Sequence, residues 1–299
     1  MGKTKILISG ASGMLGATLV NLWQDRFDIY ATGKNNFIGN PAEKFMSFNL
    51  YNKSYKPLIN WADPEIIIHC AAITDSDYCE NNPDQALEVN AISTDRFIKS
   101  KLNARIIFIS SDAVFPDGLH LATEKDQVAP LNVYGKTKVV GEKIIQNIGR
   151  PHSVIRTTIV GTNINPSKKS FIDKMVSKLR NGEIISLFGD DFFTPITIWD
   201  FAQELEWIIS NDFHGTIHIT GKEPISKYDF GLKISKKLGF DRGLISKNSI
   251  NDINFIAKRS KDKTMSSKYY EQLSNRSMPT VNDTISTIVK HLKRRAKIV

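Results

Sequence analysis

The stretch Lys5-Ile6-Leu7-Ile8-Ser9-Gly10-Ala11-Ser12-Gly13-Met14-Leu15-Gly16 decides the fold. Its first five residues are a strand-like run. Glycines follow at 10, 13 and 16, a GxxGxxG spacing, and a helix-period segment, Met14–Trp23, begins inside the motif. Small residues here let the backbone turn tightly and approach a pyrophosphate, whose charge rests on the amides at the helix N-terminus. Gly16, one turn into the helix, lets that helix pack close to the strand. A glycine triplet alone is a weak signal. One lying between a first strand and a first helix is far more specific for a dinucleotide.

Working outward, further strand candidates are Asp28–Thr32, Met46–Asn49, Ile66–Cys70, Arg105–Ser110 and Ser153–Thr157. Helix-period segments such as Pro83–Ser100 and Tyr134–Asn147 fall between them. Short β-branched strands separated by helices indicate an α/β protein, a doubly wound parallel sheet of Rossmann type. The unbroken apolar runs IIIHC and RIIFIS read as strands buried on both faces. After Arg156 the rhythm loosens. Asn163–Lys169 reads as a loop, Phe171–Asn181, Ile198–Ser210 and Lys227–Leu238 as helices, and Thr216–Ile219 as a strand. Phe255–Asn275 is basic and irregular, and Val281–Lys297 closes as an amphipathic helix. The expected organisation is a dinucleotide-binding domain over 1–160 and a smaller, mainly substrate-binding portion over 161–299. Within that portion, 198–220 is expected to return to the Rossmann core.

The 299 residues are 41% hydrophobic and 24% charged, enough to bury a sizeable core and to exclude a disordered chain. Forty basic against 31 acidic residues give a net charge of +9, which suits an anionic partner. The basic tail His291–Lys297 has no aromatic interleaving and no groove-binding motif. It reads as a solvated helix end, and neither nucleic acid nor membrane is an expected partner. The two cysteines, Cys70 and Cys79, form no CxxC pair and the six histidines are scattered, so no metal site is expected. The longest apolar run, Ile66–Ile73, is far too short to span a bilayer, and Met1–Ser9 shows no signal-peptide region. A cytoplasmic location is the expectation, and a homodimer is left open.

The second strand candidate is followed by Gly33-Lys34, with no acid to hold a ribose 2′-hydroxyl. Lys34 suits a 2′-phosphate instead, which favours NADPH, with NADH second. Expected cofactor contacts are Gly10, Ser12, Gly13, Met14 and Leu15 in the loop, then Lys34, Asn49 and Leu50. Downstream, Tyr134-Gly135-Lys136-Thr137-Lys138 is a YxxxK motif whose ends share one helical face. A cation beside a phenol favours the phenolate and lowers a pKa that starts near ~10. Tyr134 would then exchange a proton near neutral pH. Ser111, at the end of the strand ending Ile109-Ser110, offers a hydroxyl to a reacting carbonyl.

Together these motifs resemble the extended short-chain dehydrogenase/reductases, and within them the dTDP-4-dehydrorhamnose reductase family. GASGMLG is similar to the family's cofactor loop. HCAAITDSDYCE, His69–Glu80, is similar to AAxTxVDxxE, and VNA follows at Val89–Ala91. SSDAVFPDG, Ser110–Gly118, resembles STDYVFDG, and YGKTKVVGE, Tyr134–Glu142, resembles YGxSKxxGE. RTTIVG, Arg156–Gly161, and FFTPITIWDFA, Phe192–Ala202, correspond to RTSWVYG and GSPTxxxDLA. HITGKEPISKYDFG, His218–Gly231, resembles HxxGxxxxSWYEFA. The resemblance implies a catalytic set of Ser111, Tyr134 as proton donor, and Lys138, which tunes Tyr134 and holds the nicotinamide ribose. It implies that Ala71, Ala72 and Thr74 line the cofactor, and that Ser111, Phe171 and Thr194 meet the substrate. The implied activity is NADPH-dependent reduction of the C4 ketone of a nucleotide-linked 4-keto-6-deoxyhexose, in deoxysugar and polysaccharide synthesis.

The chain departs from the family pattern at Asn49, where relatives have Asp, at Ala113 for Tyr, at Ile196 for Thr, and at Ser260 after Arg259. The last three are expected near the sugar pocket and bear on which sugar nucleotide fits. A sugar-nucleotide epimerase is a sibling reading. A 4,6-dehydratase is disfavoured, because Asp112 is followed by Ala113 and not by a second carboxylate. A different class is a non-catalytic NADP-binding partner subunit, since the regulatory β-subunit of methionine adenosyltransferase resembles this same reductase family.

Overall fold

A computed structural model of the chain describes residues 2–149 and 151–296. Lys297, the end of the expected last helix, lies outside the described residues. The first half carries β1 (Lys5–Ser9), α1 (Met14–Trp23), β2 (Asp28–Gly33), β3 (Phe45–Ser47), α2 (Lys56–Ala62) and β4 (Ile66–His69). It continues with α3 (Ser76–Asn81), α4 (Pro83–Leu87), α5 (Ser93–Ser100), β5 (Arg105–Ile109), α6 (Val133–Gln146) and β6 (His152–Arg156). The segment expected as one helix over Pro83–Ser100 is α4 and α5 joined by a π-helical turn, Glu88–Ile92.

The second half adds β7 (Ile159–Val160), α7 (Phe171–Arg180), β8 (Ile185–Phe188), β9 (Phe192–Phe193), β10 (Ile196–Thr197) and α8 (Ile198–Ser210). It ends with β11 (Gly215–His218), β12 (Ile225–Ser226), α9 (Lys227–Leu238), β13 (Ile245–Asn248), α10 (Lys268–Ser274) and α11 (Val281–Ala296).

Seven strands form one sheet in the order β11-β6-β5-β4-β1-β2-β3, and every pairing in it is parallel. The strand period of two sends Ile6 and Ile8 to one face and Leu7 to the other. On the first face they meet Leu15, Leu19 and Trp23 of α1 and Phe201, Leu205 and Ile208 of α8, with Tyr270 and Met278 closing the same core. On the second face Leu7, Ile67, Ile106 and Phe108 meet Leu58 of α2, Phe97 of α5 and Ile145 of α6. Both faces are covered, which is why the strands read as continuous apolar runs.

Strand order reverses between β1 and β4, so the crevice at their carboxyl ends is the switch point where α/β sheets bind ligands. Gly10 takes φ +73 there, and a Cβ on Gly16 would fall 2.5 Å from the Gly10 carbonyl oxygen. The close approach of α1 expected from the sequence is therefore present. β11 pairs with β6, from Gly215 opposite Ser153 to His218 opposite Arg156. A second core joins α7, α9 and α11 through Met175, Leu187, Phe193, Phe230 and Ile288.

Candidate active site

A cavity of about 500 Å³ opens at the switch point. Gly10, Ser12 and Gly13 line it after β1, Lys34 after β2, Asn49 and Leu50 after β3, and Ala71 and Ala72 after β4. Met14 and Leu15 open α1 without lining it, and Leu15 packs into the core. Thr74 is exposed on the loop before α3 and does not line it either. The residues present fit a dinucleotide. Gly13 is the N-cap of α1 and supplies no side-chain cap bond, so the first amides of the helix are left for a ligand anion. A Cβ at Gly10 would lie 2.7 Å from Ala71, so the loop stays bare and close to β4.

Sequence reasoning missed several residues of this cleft. Tyr78 lines it and donates its hydroxyl to Gln85 Oε1 at 2.7 Å. Lys168 reaches in from the loop before α7. No local pattern marks Lys168, whereas Tyr78 lay within the quoted HCAAITDSDYCE segment. Beneath the cleft the fully buried His69 sits between Ser9 Oγ at 2.6 Å and Ser93 Oγ at 2.7 Å, and burial holds its pKa down at about 3.

Helix α6 begins at the cap Asn132, whose Oδ1 accepts from the Gly135 amide at 2.9 Å. Tyr134 lines a second cavity of about 220 Å³ with Asp112, Ala113, Asp191, Arg259 and Lys263. Ser111 Oγ donates to Asp112 Oδ1 at 2.7 Å and accepts from the Ala113 amide at 3.2 Å. Burial pushes the Tyr134 phenol above its ordinary value. A hydrogen bond from Ser111 opposes this, and the charge of Asp112 adds to it. The direction is the reverse of that expected from the YxxxK pattern. The reason is the burial of the phenol itself. Lys138 is 2% exposed with Nζ 4.0 Å over the Phe108 ring, and burial brings its pKa down to about 7 against the pull of Glu142 and Cys70. Burial thus also disfavours the charged form of the cation expected beside the phenol.

Two buried contacts fix α6. Glu142 accepts from Arg156 Nε at 3.0 Å and Nη2 at 2.7 Å, and also from Ser110 Oγ. Asn90, in the π-helical turn, accepts from the Ile73 amide at 2.7 Å and donates to Thr137 Oγ1 at 3.0 Å. It ties the loop after β4 to the helix segment between Tyr134 and Lys138. π-turns recur at functional sites; the VNA block, Val89–Ala91, lies in this one, though the sequence pattern reads as one helix across the whole segment.

The remaining expected residues divide. Ala113 and Ser260 line the smaller cavity. Ile196 does not, because it is fully buried in the first core. Thr194 lines neither cavity. It is fully buried, and its hydroxyl accepts from Thr220 Oγ1 at 2.8 Å and from the Met265 amide at 3.2 Å. Phe171 lies under the Lys227 ammonium, which is 5.3 Å from its ring and 3.4 Å from that of Phe193. Among the described residues no group of three or more His, Cys, Asp or Glu could hold a metal ion, and no helix is long and apolar enough to cross a membrane.

A family model described as RmlD substrate binding domain matches residues 4–294. A probable low-salt glycan biosynthesis reductase, Agl14, of Haloferax volcanii is 29% identical over 238 residues, covering 77% of this chain and 79% of that one. Methionine adenosyltransferase 2 subunit beta of Rattus norvegicus is 28% identical over 240 residues, covering 77% and 71%. The crystal structure of dTDP-4-dehydrorhamnose reductase from Bacillus anthracis in complex with NADP superposes with a TM-score of 0.86 at 24% identity, covering 97% of this chain and 100% of that one.

Proposed function

This chain belongs to the RmlD substrate binding domain family, and from that premise we propose that it reduces the C4 ketone of a nucleotide-linked 4-keto-6-deoxyhexose with NADPH. The observation that carries the reading is that a dinucleotide-type cavity, lined by the bare glycine loop and Lys34, and a smaller polar cavity that holds Tyr134 occur in the same fold. Tyr134 lines the smaller cavity beside Asp112, and Lys138, one turn on, is buried over the Phe108 ring. When bound, the reduced nicotinamide supplies the hydride. Tyr134 gives its proton to the alkoxide left at C4, and a phenol held above its ordinary pKa remains protonated at neutral pH, the form a reductase needs. Ser111 turns its hydroxyl from Asp112 to the ketone oxygen and stabilises the charge that develops there. Lys138 holds the nicotinamide ribose and returns a proton toward Tyr134. Phe171 and the Arg259 and Lys263 side of the smaller cavity receive the sugar.

The test is NADPH consumption with a panel of dTDP- and UDP-linked 4-keto sugars, and turnover of at least one is expected. A second reading is favoured by the 28% identity to the methionine adenosyltransferase β-subunit, which would make the chain an NADP-binding partner subunit. NADPH binding without turnover of any panel member would shift the assignment to it.

A further inference from the structure

We propose that Lys168 is a second reader of the ribose 2′-phosphate of NADPH, supplied by the substrate-side half of the chain; this rests on the cofactor reading above. The loop between β7 and α7 is a braced strap. The Asn165 amide donates to Asn163 Oδ1 at 3.1 Å, and Asn165 Oδ1 accepts from the Ser167 amide at 3.0 Å. The Asn163 amide donates to Asp173 Oδ2 at 2.9 Å, the same carboxylate that closes the capping box of α7 with Ser170. The strap is fastened to the glycine loop by Asn165 Nδ2, which donates to the Ser12 carbonyl at 3.1 Å. Lys168 extends from it and donates from Nζ to Ser12 Oγ at 3.2 Å.

Ser12 Oγ marks the place that matters. It lies 3.1 Å from where Gly33 would carry a Cβ, and Gly33 ends β2 next to Lys34. The end of the second strand is where α/β dinucleotide sites read the adenosine ribose, by an acid on a 2′-hydroxyl or a cation on a 2′-phosphate. Among the described residues the cavity lining contains two lysines, Lys34 and Lys168, and no carboxylate. A phosphate monoester carries close to two negative charges at neutral pH and makes its strongest hydrogen bonds to cationic donors. Lys34 supplies one ammonium from β2 and Lys168 the other from the strap. A 2′-phosphate held between them bridges the two halves of the molecule. Two residues beyond Lys168 is Ser170, the cap of α7, so the bridge reaches the segment that carries Phe171.

The experiment is equilibrium binding, by calorimetry on the apo chain, of NADPH, NADH, 2′,5′-ADP and 5′-AMP to wild type and Lys168→Met. Lys168 is exposed, so the variant keeps its fold. Loss of one charge-assisted hydrogen bond should weaken NADPH and 2′,5′-ADP by about 10- to 100-fold and leave NADH and 5′-AMP unchanged, with Lys168→Arg restoring most of the affinity. Equal weakening of NADPH and NADH would assign the ammonium to the shared diphosphate and overturn the proposal, as would no weakening at all. A wild-type chain that binds no dinucleotide would instead refute the cofactor reading, and the proposal with it.

Discussion

Replacing Glu142 by glutamine separates the footing of α6 from its chemistry. The Glu142 and Arg156 side chains are 3% and 6% exposed, and the carboxylate accepts twice from the guanidinium. Glutamine keeps the shape but removes the charge and turns an amide against Arg156, which is left buried without compensation. Removing one partner of a buried pair typically costs about 3–5 kcal/mol. Unfolding entropy of ~2.1 cal/mol/K per residue amounts to about 0.6 kcal/mol/K for a chain of this length, so Tm should fall by about 5–8 °C. A second effect runs through Lys138, whose ammonium Glu142 supports. Without that carboxylate the Lys138 pKa drops further below about 7, and the alkaline limb of kcat/KM moves to lower pH. Calorimetric melting and a pH–rate profile read the two effects. The double variant Glu142→Leu/Arg156→Met should recover most of the lost Tm, because it leaves no orphaned charge. A single variant melting within about 1 °C of wild type with an unshifted profile would show that the pair neither holds nor tunes the helix.

Tyr134→Phe should lower kcat by about 10²–10⁴ with cofactor affinity unchanged, and full activity in that variant on the best 4-keto sugar nucleotide would end the proton-donor assignment. Lys138 has a native pKa of about 7 against ~10.4 when unfolded, so the unfolded chain binds more protons between those values and stability rises with pH across that window. Lys138→Met should therefore raise Tm most near pH 7 and progressively less toward pH 10, while reducing activity; a Tm gain independent of pH would contradict the burial argument. His69 and His218 are fully buried with pKa values near about 3, so protons taken up by the unfolded chain below ~6.5 erode stability as pH falls, by about 2 kcal/mol per histidine between pH 7 and pH 5. His218 packs edge-on to Phe115, so His218→Phe should keep the packing and flatten that dependence in urea titrations, and identical slopes in variant and wild type would refute it.

The parts of the fold that were legible are those with enough residues to show a period. α1, α8 and α9 were read to the residue, and the sheet strands to within a residue or two at each end, because burial on both faces makes IIIH and RIIFI unmistakable. The seven-residue α2 and α10 were missed. α2 begins with Pro57 at its first turn, and α10 lies within a segment read only as basic and irregular. The two-residue strands β7, β9, β10 and β12 carry no alternation to detect. In the site, the glycine loop and YxxxK were legible because each is contiguous. Arg259 and Lys263 arrive from a loop over a hundred residues downstream of Tyr134, and only the folded chain brings them to its cavity. The sign of the Tyr134 shift was misread for a related reason. Spacing places Lys138 on the same helical face but is silent about how deeply the folded chain buries the phenol.

The late strand β11 and the two residues Tyr270 and Met278 have a consequence for how the chain is made. Ile6 and Ile8 leave the ribosome well before the residues that complete their face of the sheet, α8 and then Tyr270 and Met278. Roughly 120 residues separate the end of β6 from Met278, which at ~5–20 residues per second is about 6–24 s of translation. Throughout that interval the apolar face of the nascent half is only partly covered, by α1 and later α8, and until Gly215–His218 emerges β6 has an unpaired edge. The same connectivity that lets the second half reach across the cofactor cleft leaves the newborn first half with exposed apolar surface and an open strand edge until those later residues emerge.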